Sequence, residues 1–319
     1  MCCMKKSGKM NRCGAFVVGV IPPRRLPVMQ THNDAVVPFV FESLPVRGAL
    51  IQLQKSWQRM QLGHTYQSNV LETLGHSAAA TGLIAQSLKF DGTITMQLTG
   101  DGPLAMLVMQ CTSDLELRGM ASAPDLNSQA SFEELVSKAR CAITVDAGAM
   151  ERPYQGIVEV TGESLANSLE NYYARSAQIP SHIQLVSEPG SCGGILLQQI
   201  PEKASPLEDD WRRLGMLAAT LRPDDIADGV GIDLLGKLFA EDDVRVFKPK
   251  AASFKCRCSK KRAEDVLKML GPDETNAVCT EEGQVDVTCE YCGRTRSFDA
   301  VDVSRLFSDH VVEGPNRIH

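Results

Sequence analysis

The sequence contains one cluster of residues whose types and spacing suit metal chemistry. Cys256 and Cys258 form a Cys-x-Cys pair, and after thirty intervening residues Cys289 and Cys292 form a Cys-x-x-Cys pair followed by Gly293. Four thiolates in two close pairs are the donor set of a tetrahedral zinc site. The second pair has the spacing of a zinc-knuckle turn, in which a glycine lets the backbone bend toward the metal. The spacing therefore predicts that one zinc ion per chain binds to these four cysteines.

Two interpretations of this site stay open from the residues alone. In the first, zinc is a permanent structural ion that holds a small domain together. In the second, the site is a redox switch, because zinc-bound sulfurs are thiolates and thiolates are the form that oxidants attack. Oxidation of the close pairs to disulfides would expel the metal. The domain would then unfold, since the binding energy of structural zinc is folding energy.

The other cysteines lack metal-like spacing. Cys111, Cys141 and Cys192 lie in apolar or glycine-rich surroundings and are interpreted as core or loop residues. Cys279 is predicted to be a bystander thiol near the zinc. Cys2, Cys3 and Cys13 fall in residues 1–33, which we interpret as a disordered extension. Its basic start and apolar run over residues 15–21 resemble a signal peptide, but prolines and arginines replace a cleavage site, so a reducing cytoplasmic location is predicted.

Three weaker motifs are interpreted as structural. Residues 231–237 approach a P-loop but lack the Ser/Thr that binds magnesium, so an amphipathic helix is predicted. Residues 190–194 have the form of a nucleophile elbow with cysteine, but a strand follows, so a hairpin turn is predicted. Arg47-Gly48 and Arg118-Gly119 are turn or phosphate-contact dipeptides.

Composition excludes several classes of protein. Of the 319 residues, 43% are hydrophobic and 23% are charged, which is ordinary globular usage and argues against a disordered or collagen-like chain. Aromatic residues make up 5% and the formal charge is −6, so neither base stacking nor phosphate binding is favoured and no nucleic-acid partner is predicted. No run of 18 apolar residues exists, so no membrane-spanning helix is predicted.

Hydrophobic periodicity predicts an α+β protein: a mixed sheet-and-helix domain over 34–200, a helical acidic linker over 201–250 and a small zinc-binding domain over 251–319. The first domain is predicted to contain helices at 68–88 and 163–176, strands at 93–99, 104–110, 140–146 and 155–160, and a hairpin of 182–187 with 195–200. The last is predicted to contain a helix at 260–270 and a strand at 285–289.

The linker is predicted to need a docking surface. It carries helical patterns at 207–221 and 232–239, and residues 208–243 hold ten acidic and four basic side chains. Short acidic helices have little core of their own. We expect them to cover the apolar sheet face built from strands 93–99 and 104–110.

Together these residues resemble the 33 kDa chaperonin (heat shock protein 33) family. The resemblance covers about residues 34–310, and the extension 1–33 departs from it. The motifs that carry it are Lys255-Cys256-x-Cys258-Ser259, Asp286-x-x-Cys289-x-Tyr291-Cys292-Gly293, Val46-Arg47-Gly48, Leu88-Lys89-Phe90-Asp91-Gly92, Gly100-Asp101-Gly102-Pro103, Tyr154-Gln155-Gly156, Leu169-Glu170-x-Tyr172-Tyr173-x-Arg175-Ser176 and Gly193-Gly194-x-Leu196-Leu197-Gln198.

The resemblance implies a redox-regulated, ATP-independent holdase chaperone that is not an enzyme. It implies that the reduced form is inactive and carries zinc on Cys256, Cys258, Cys289 and Cys292. It also implies that oxidation forms the Cys256–Cys258 and Cys289–Cys292 disulfides, releases zinc and unfolds the zinc domain and the linker. The implied partners are unfolded client polypeptides, a second copy of the oxidised chain and ATP-dependent foldases downstream.

Two other classes stay open. A thiol-disulfide oxidoreductase would need its Cys-x-x-Cys at a helix N-terminus in a thioredoxin-like setting. A structural zinc-ribbon binding protein directed at nucleic acid would need a basic face, whereas residues 251–319 hold ten basic and twelve acidic side chains.

Overall fold

The fold is known from a computed structural model. It describes residues 17–20, 34–124, 130–137, 139–148, 152–160, 163–200, 206–227 and 231–308. The strands in these ranges are β1 (Val17–Val20), β2 (Asp34–Phe41), β3 (Val46–Leu53), β4 (Thr93–Gly100), β5 (Met106–Thr112), β6 (Glu116–Ser122), β7 (Ala139–Asp146), β8 (Tyr154–Val158), β9 (Ser181–Ser187), β10 (Cys192–Gln199), β11 (Val244–Phe247), β12 (Lys250–Ala251), β13 (Ser253–Phe254), β14 (Val285–Thr288) and β15 (Thr295–Phe298).

The helices fall in the same ranges. They are α1 (Lys55–Gln61), α2 (Ser68–Ser87), α3 (Phe132–Leu135), α4 (Leu165–Tyr172), α5 (Glu208–Ala218), α6 (Pro223–Ala227), α7 (Gly231–Leu238), α8 (Lys260–Leu270), α9 (Pro272–Glu282) and α10 (Ala300–Ser308). A π-helical turn, Tyr173–Ala177, extends α4. The predicted α+β class is confirmed.

Two sheets form the core. The first has the strand order β1-β11-β2-β3-β10-β9, with β12 also paired to β2, and all its pairs are antiparallel. The second has the order β13-β6-β5-β4-β7-β8, in which the short β13–β6 pair is parallel. Strands β14 and β15 form a separate hairpin near the C-terminus. The first cysteine pair thus follows the last strand of the core, and the second pair lies in the turn of that hairpin.

Helix α2 lies between the two sheets and fills the core. Buried residues surround its axis, because β3, β9 and β10 contact it from one side and β4, β5 and β6 from the other. Small residues such as Ala78, Ala79 and Gly82 let both sheets approach closely. The alternating side chains of β4, Ile94, Met96 and Leu98, are buried against this helix.

The linker helices dock on the first sheet, so the docking face expected from strands 93–99 and 104–110 is wrong. The apolar face of β4 and β5 already packs in the core around α2. The outer face of β2, β3, β9 and β10 is the apolar surface left over, and α5, α6 and α7 cover it. Phe239, just after α7, packs 5.1 Å from Phe41 and 6.0 Å from Phe39 between ring centroids.

Residues on both sides of the predicted boundary between the linker and the zinc-binding domain belong to the core sheets. β11 pairs with β2, β12 pairs with β2, and β13 pairs with β6. The end of the predicted linker and the first residues of the predicted zinc domain are therefore sheet strands. At the other end of the chain, Val17–Val20 is a strand paired with β11, which differs from the disorder expected for residues 1–33. The rest of that extension lies outside the described residues.

The C-terminal unit, from α8 to α10, has a small core. Within the described residues its apolar cluster contains six buried members, Ala263, Leu267, Cys279, Val285, Phe298 and Val303. The predicted helix 260–270 and strand 285–289 are present, whereas α9, β15 and α10 were not predicted. Gly271-Pro272 ends α8, and Pro272 also begins α9, because proline is well suited to the first turn of a helix.

Within the part of the chain that the structure describes, no helix is both long and apolar enough to span a bilayer.

Candidate metal centre

The Cys-x-Cys arm emerges directly from the core. β13 pairs with β6, and the next residue, Lys255, donates its backbone N–H to the carbonyl oxygen of Leu117 at 2.9 Å. The Lys255 ammonium also pairs with the carboxylate of Glu116 on the same strand. Cys256 and Cys258 follow at once, and α8 begins two residues later. The second sheet therefore fixes the position of this arm.

The Cys-x-x-Cys arm is the turn between β14 and β15. The backbone N–H groups of Cys292 and Gly293 both donate to the carbonyl oxygen of Cys289, at 3.3 and 2.8 Å, and Cys289 N–H donates to Arg294 O at 3.0 Å. Gly293 has a φ of +65°, in the left-handed region where glycine avoids a Cβ clash. The C-terminal unit therefore holds this second arm in a tight turn.

The four sulfurs of the two arms converge. Cys256 Sγ lies 3.6 Å from Cys289 Sγ, and Cys258 Sγ lies 3.6 Å from Cys292 Sγ. All four lie within 4.8 Å of one another and are half-buried. Sulfurs bound tetrahedrally to zinc at about 2.3 Å would lie about 3.8 Å apart. The structure thus brings together the cysteines that the sequence singled out, in an arrangement that can hold a metal ion. That the ion is zinc stays a prediction.

Burial and neighbouring sulfurs shift the pKa values of the thiols in different directions. Burial raises the pKa of Cys256 to about 12 and also raises the pKa of Cys292. For Cys258, burial acts in the same direction, but hydrogen bonds with the other three sulfurs and the charge of Arg294 lower its pKa overall. One thiolate is therefore stabilised, whereas further thiolates beside it need a positive charge. A bound dication supplies that charge.

Three cysteines outside the cluster are buried in the core. Burial raises the pKa of Cys111 and of Cys141 to about 12 and also raises that of Cys192. Since the thiolate is the reactive form, these sulfurs are inert core groups, as the sequence indicated. Cys279 is buried in the C-terminal unit and lies outside the four-sulfur group. The cysteines of residues 1–16 lie outside the described residues.

Two other sequence motifs have structural roles. Residues 231–237 lie within α7, and residues 190–194 span the turn from β9 into β10, so the helix and hairpin interpretations are confirmed. The Cys-x-x-Cys arm joins two hairpin strands. It therefore lacks the helix N-terminus that a thioredoxin-like oxidoreductase requires.

The metal-site turn packs against the loop that follows α1. Gly63 and Gly293 approach so closely that a Cβ on Gly63 would lie 2.7 Å from Gly293 Cα. Sequence reasoning missed this contact, because a single glycine in a loop carries no signal of the backbone that faces it.

A cation–π contact holds the same turn on the second sheet. The guanidinium carbon of Arg118 lies 4.4 Å from the centroid of the Tyr291 ring, and Arg118 Nε donates to Gln110 Oε1 at 2.8 Å. The sequence offered Arg118-Gly119 as a turn or phosphate-contact dipeptide, whereas both residues lie within β6. The arm between β14 and β15 is therefore attached to the core beside the metal site.

Comparison with known protein families identifies the group to which this architecture belongs. The family model described as "Hsp33 protein" matches residues 34–299, which include the core, the linker and all four cysteines. The chain belongs to the Hsp33 family. Membership supports a chaperone function, and the resemblance seen in the sequence motifs is confirmed.

Relatives and a solved structure agree with this assignment. The chain is 38% identical to the "33 kDa chaperonin" of Shewanella denitrificans over 279 residues, covering 87% of this chain and 96% of the relative. It is 35% identical to that of Methylobacillus flagellatus, covering 90% and 98%. The crystal structure of the 33 kDa chaperonin from Thermotoga maritima matches with a TM-score of 0.71 at 21% identity, over 87% of this chain and 99% of that one. This last likeness supports the fold.

The close approach of Gly63 and Gly293 generates a prediction for this Hsp33-family chain. Gly63→Ala should displace the metal-site turn from the core, because its Cβ would meet Gly293 Cα. Loss of metal to a chelator should become faster, and amides of residues 285–298 should exchange faster with solvent. Gly283→Ala is the matched control, since Gly283 has the same φ of +82° but faces open space. Both variants carry about 1 kcal/mol of backbone strain. Equal behaviour of the two would show that the contact does not hold the turn.

Proposed function

We propose that this chain is a redox-regulated, ATP-independent holdase that is inactive while reduced and zinc-bound. The observation that carries the proposal is the position of the four cysteines: their sulfurs lie within 4.8 Å of one another, where an arm fixed to the core meets an arm of the C-terminal unit. A change in the oxidation state of these sulfurs therefore acts on the connection between two parts of the molecule.

Zinc is the proposed metal, with one ion per chain. When bound, zinc stabilises all four sulfurs as thiolates and so maintains them in their oxidisable form. Residues Cys256 and Cys258 would hold it from the core side, and Cys289 and Cys292 from the hairpin. Binding energy on the order of 10 kcal/mol exceeds the roughly 3–5 kcal/mol that a small core supplies. The C-terminal unit would therefore depend on the metal for its fold.

A single ligand substitution tests the zinc assignment. Cys289→Ser should remove most of the zinc from the reduced protein, because a neutral hydroxyl replaces a thiolate donor. Metal analysis of the purified protein measures this loss. Cys279→Ala is the control, since Cys279 is buried in the same unit but lies outside the four-sulfur group, and it should retain zinc. Full zinc content in Cys289→Ser would contradict the assignment.

Oxidation is proposed to form the Cys256–Cys258 and Cys289–Cys292 disulfides. Each disulfide joins two sulfurs of one arm, and its formation transfers two electrons from these sulfurs to the oxidant. Neither bond links the core-side arm to the hairpin, so loss of zinc removes the one connection that the sulfurs make between the two parts. The C-terminal unit then loses both its metal and its position on the core, and it is expected to unfold.

The linker is proposed to respond because a short stretch of chain joins it to the first cysteine arm. β11, β12 and β13 lie between α7 and the first cysteine arm, and all three pair with core strands. Burying each linker leucine contributes roughly 1.5–3 kcal/mol, whereas the acidic residues of the linker repel one another. We expect loss of the anchoring that the C-terminal unit supplies to shift this balance toward release of α5–α7 from the sheet.

Release of the linker would expose the face that binds clients. The surface beneath it is large and apolar and contains Val37, Phe39, Phe41, Leu50, Ile195 and Leu197. Exposed apolar faces of this kind recognise the apolar segments of unfolding polypeptides. We further propose that the oxidised chain dimerises, that clients pass to ATP-dependent foldases, and that the protein acts in the cytoplasm, where thiols are reduced in the absence of stress.

Zinc release and chaperone activity measured together test the proposed function. Treatment of the reduced, zinc-loaded protein with peroxide should release zinc and, over the same interval, produce suppression of client aggregation measured by light scattering. Reduction with dithiothreitol in the presence of zinc should reverse both. Zinc release without any gain in aggregation suppression would favour a purely structural site, which is the surviving alternative.

Loosening the linker without oxidation tests the docking mechanism. Leu235 on α7 is 1% exposed, and Leu235→Ala should weaken docking by roughly 2–5 kcal/mol. The reduced, zinc-bound variant should then suppress client aggregation, and amides of residues 206–227 and 231–247 should lose protection. Lys237→Ala, on the exposed side of the same helix, is the control and should leave both unchanged. Client binding with a fully protected linker would place the client site elsewhere.

A further inference from the structure

Two cavities lie beside the four cysteines, and each is lined by members of both arms. One, of about 400 Å³, is lined by Cys256, Cys258 and Cys292. The other, of about 250 Å³, is lined by Cys258 and Cys289. Each cysteine of the group therefore lines at least one cavity of the folded molecule.

The charged residues that line these cavities are all basic. Among the described residues, no aspartate or glutamate lines either one. The basic residues are Arg59, Arg118, Lys255, Arg262, Arg294 and Arg296, and Arg294 lines both cavities. This concentration of positive charge stands out in a chain whose formal charge is −6.

Within the described part of the chain, Lys255 is the one member of this set in an ion pair, with Glu116. Three of the arginines make contacts of another kind: Arg118 lies over the Tyr291 ring, Arg59 lies 6.0 Å from the Phe254 ring centroid, and Arg262 donates to a backbone carbonyl oxygen at 2.9 Å. Such contacts hold the side chains in place and leave their charge to act on the cavities.

The sulfurs themselves do not cancel this charge. A zinc ion with four thiolates has a net charge of −2, whereas the two cavities carry five arginines and one lysine. Cavities with walls of one sign concentrate solutes of the opposite sign and raise their association rate. The charge of a solute, and not only its reactivity, should therefore decide how fast it meets the thiolates.

We propose that these two cavities are anion-binding entrances that select small anionic oxidants for the cysteine site. The class includes oxyanion oxidants and small disulfides that carry carboxylates. This proposal rests on the proposed function, to which it adds the chemical class of the activating molecule. For a disulfide, one cysteine thiolate attacks the disulfide and displaces one thiolate. A second cysteine thiolate then attacks the mixed disulfide and displaces the other. Two protein thiolates are thereby oxidised to one disulfide, and the small disulfide is reduced to two thiolates.

Three aliphatic disulfides of different charge test the selection. Dithiodipropionate carries two carboxylates, bis(2-hydroxyethyl) disulfide is neutral, and cystamine carries two ammonium groups. Each is mixed with the reduced, zinc-loaded full-length chain in which Cys2, Cys3 and Cys13 are replaced by serine. Mass spectrometry follows the loss of the four site thiols, and a chromogenic chelator follows zinc release. The thiols should react faster with dithiodipropionate than with cystamine, and added salt should reduce the difference.

Neutralising the cavities should remove the preference. The Arg59→Gln/Arg294→Gln variant should lower the rate with dithiodipropionate on the order of tenfold and change the rate with the neutral disulfide by less than about twofold. The control is Lys268→Gln, an exposed residue of the same unit that lines neither cavity. Equal losses with the charged and neutral disulfides, or equal effects of the control, would overturn the proposal.

Failure of the proposed function would look different. Absence of zinc from the reduced protein, or absence of aggregation suppression after oxidation, would overturn the holdase proposal. The ratio of rates for charged and neutral disulfides depends on neither readout, because thiol loss is measured directly, so that ratio alone decides whether the cavities select anions.

Discussion

Four sulfur atoms within 4.8 Å of one another cannot all be ionised unless a cation lies among them, and the rest of the structure depends on this constraint. Without a metal, the group accommodates one favoured thiolate, at Cys258, beside thiols whose pKa burial raises. A dication among the sulfurs would let all four act as ligands. We propose that this charge compensation decides whether the C-terminal unit, with six buried apolar residues in its described core, stays folded.

The two arms belong to different parts of the molecule. The four-cysteine group therefore lies where the C-terminal unit meets the core sheets. The Cys-x-Cys arm continues from the second sheet through β13, and the Cys-x-x-Cys arm is a hairpin turn that rests on Gly63 and Arg118. An ordinary structural zinc ion lies inside one domain, where its loss affects that domain alone. Under the proposed function, the same loss would also detach the hairpin from the core and relax the chain that leads back to the linker.

Spacing predicted which four cysteines come together because each cysteine pair is defined locally, by one or two intervening residues. Alternation likewise predicted β4, since Ile94, Met96 and Leu98 repeat with the period of a strand. The docking face of the linker was not predictable in this way. Several strands offer apolar faces, and only the tertiary structure shows that α2 occupies the one on β4 and β5. The contact between Gly63 and Gly293 was equally hidden, because it joins two backbones rather than two side chains.

The order of strands in the first sheet has a consequence for synthesis of the chain. β2 begins at residue 34, yet in the described part of the chain one of its edges pairs with β11 and β12, which end more than two hundred residues later. A nascent chain therefore presents an open strand edge beside apolar residues of β2 until most of the protein has been made. Unpaired edges of this kind are where chains associate with one another. A protein of a chaperone family thus passes through a stage in which its own β2 strand requires protection from aggregation.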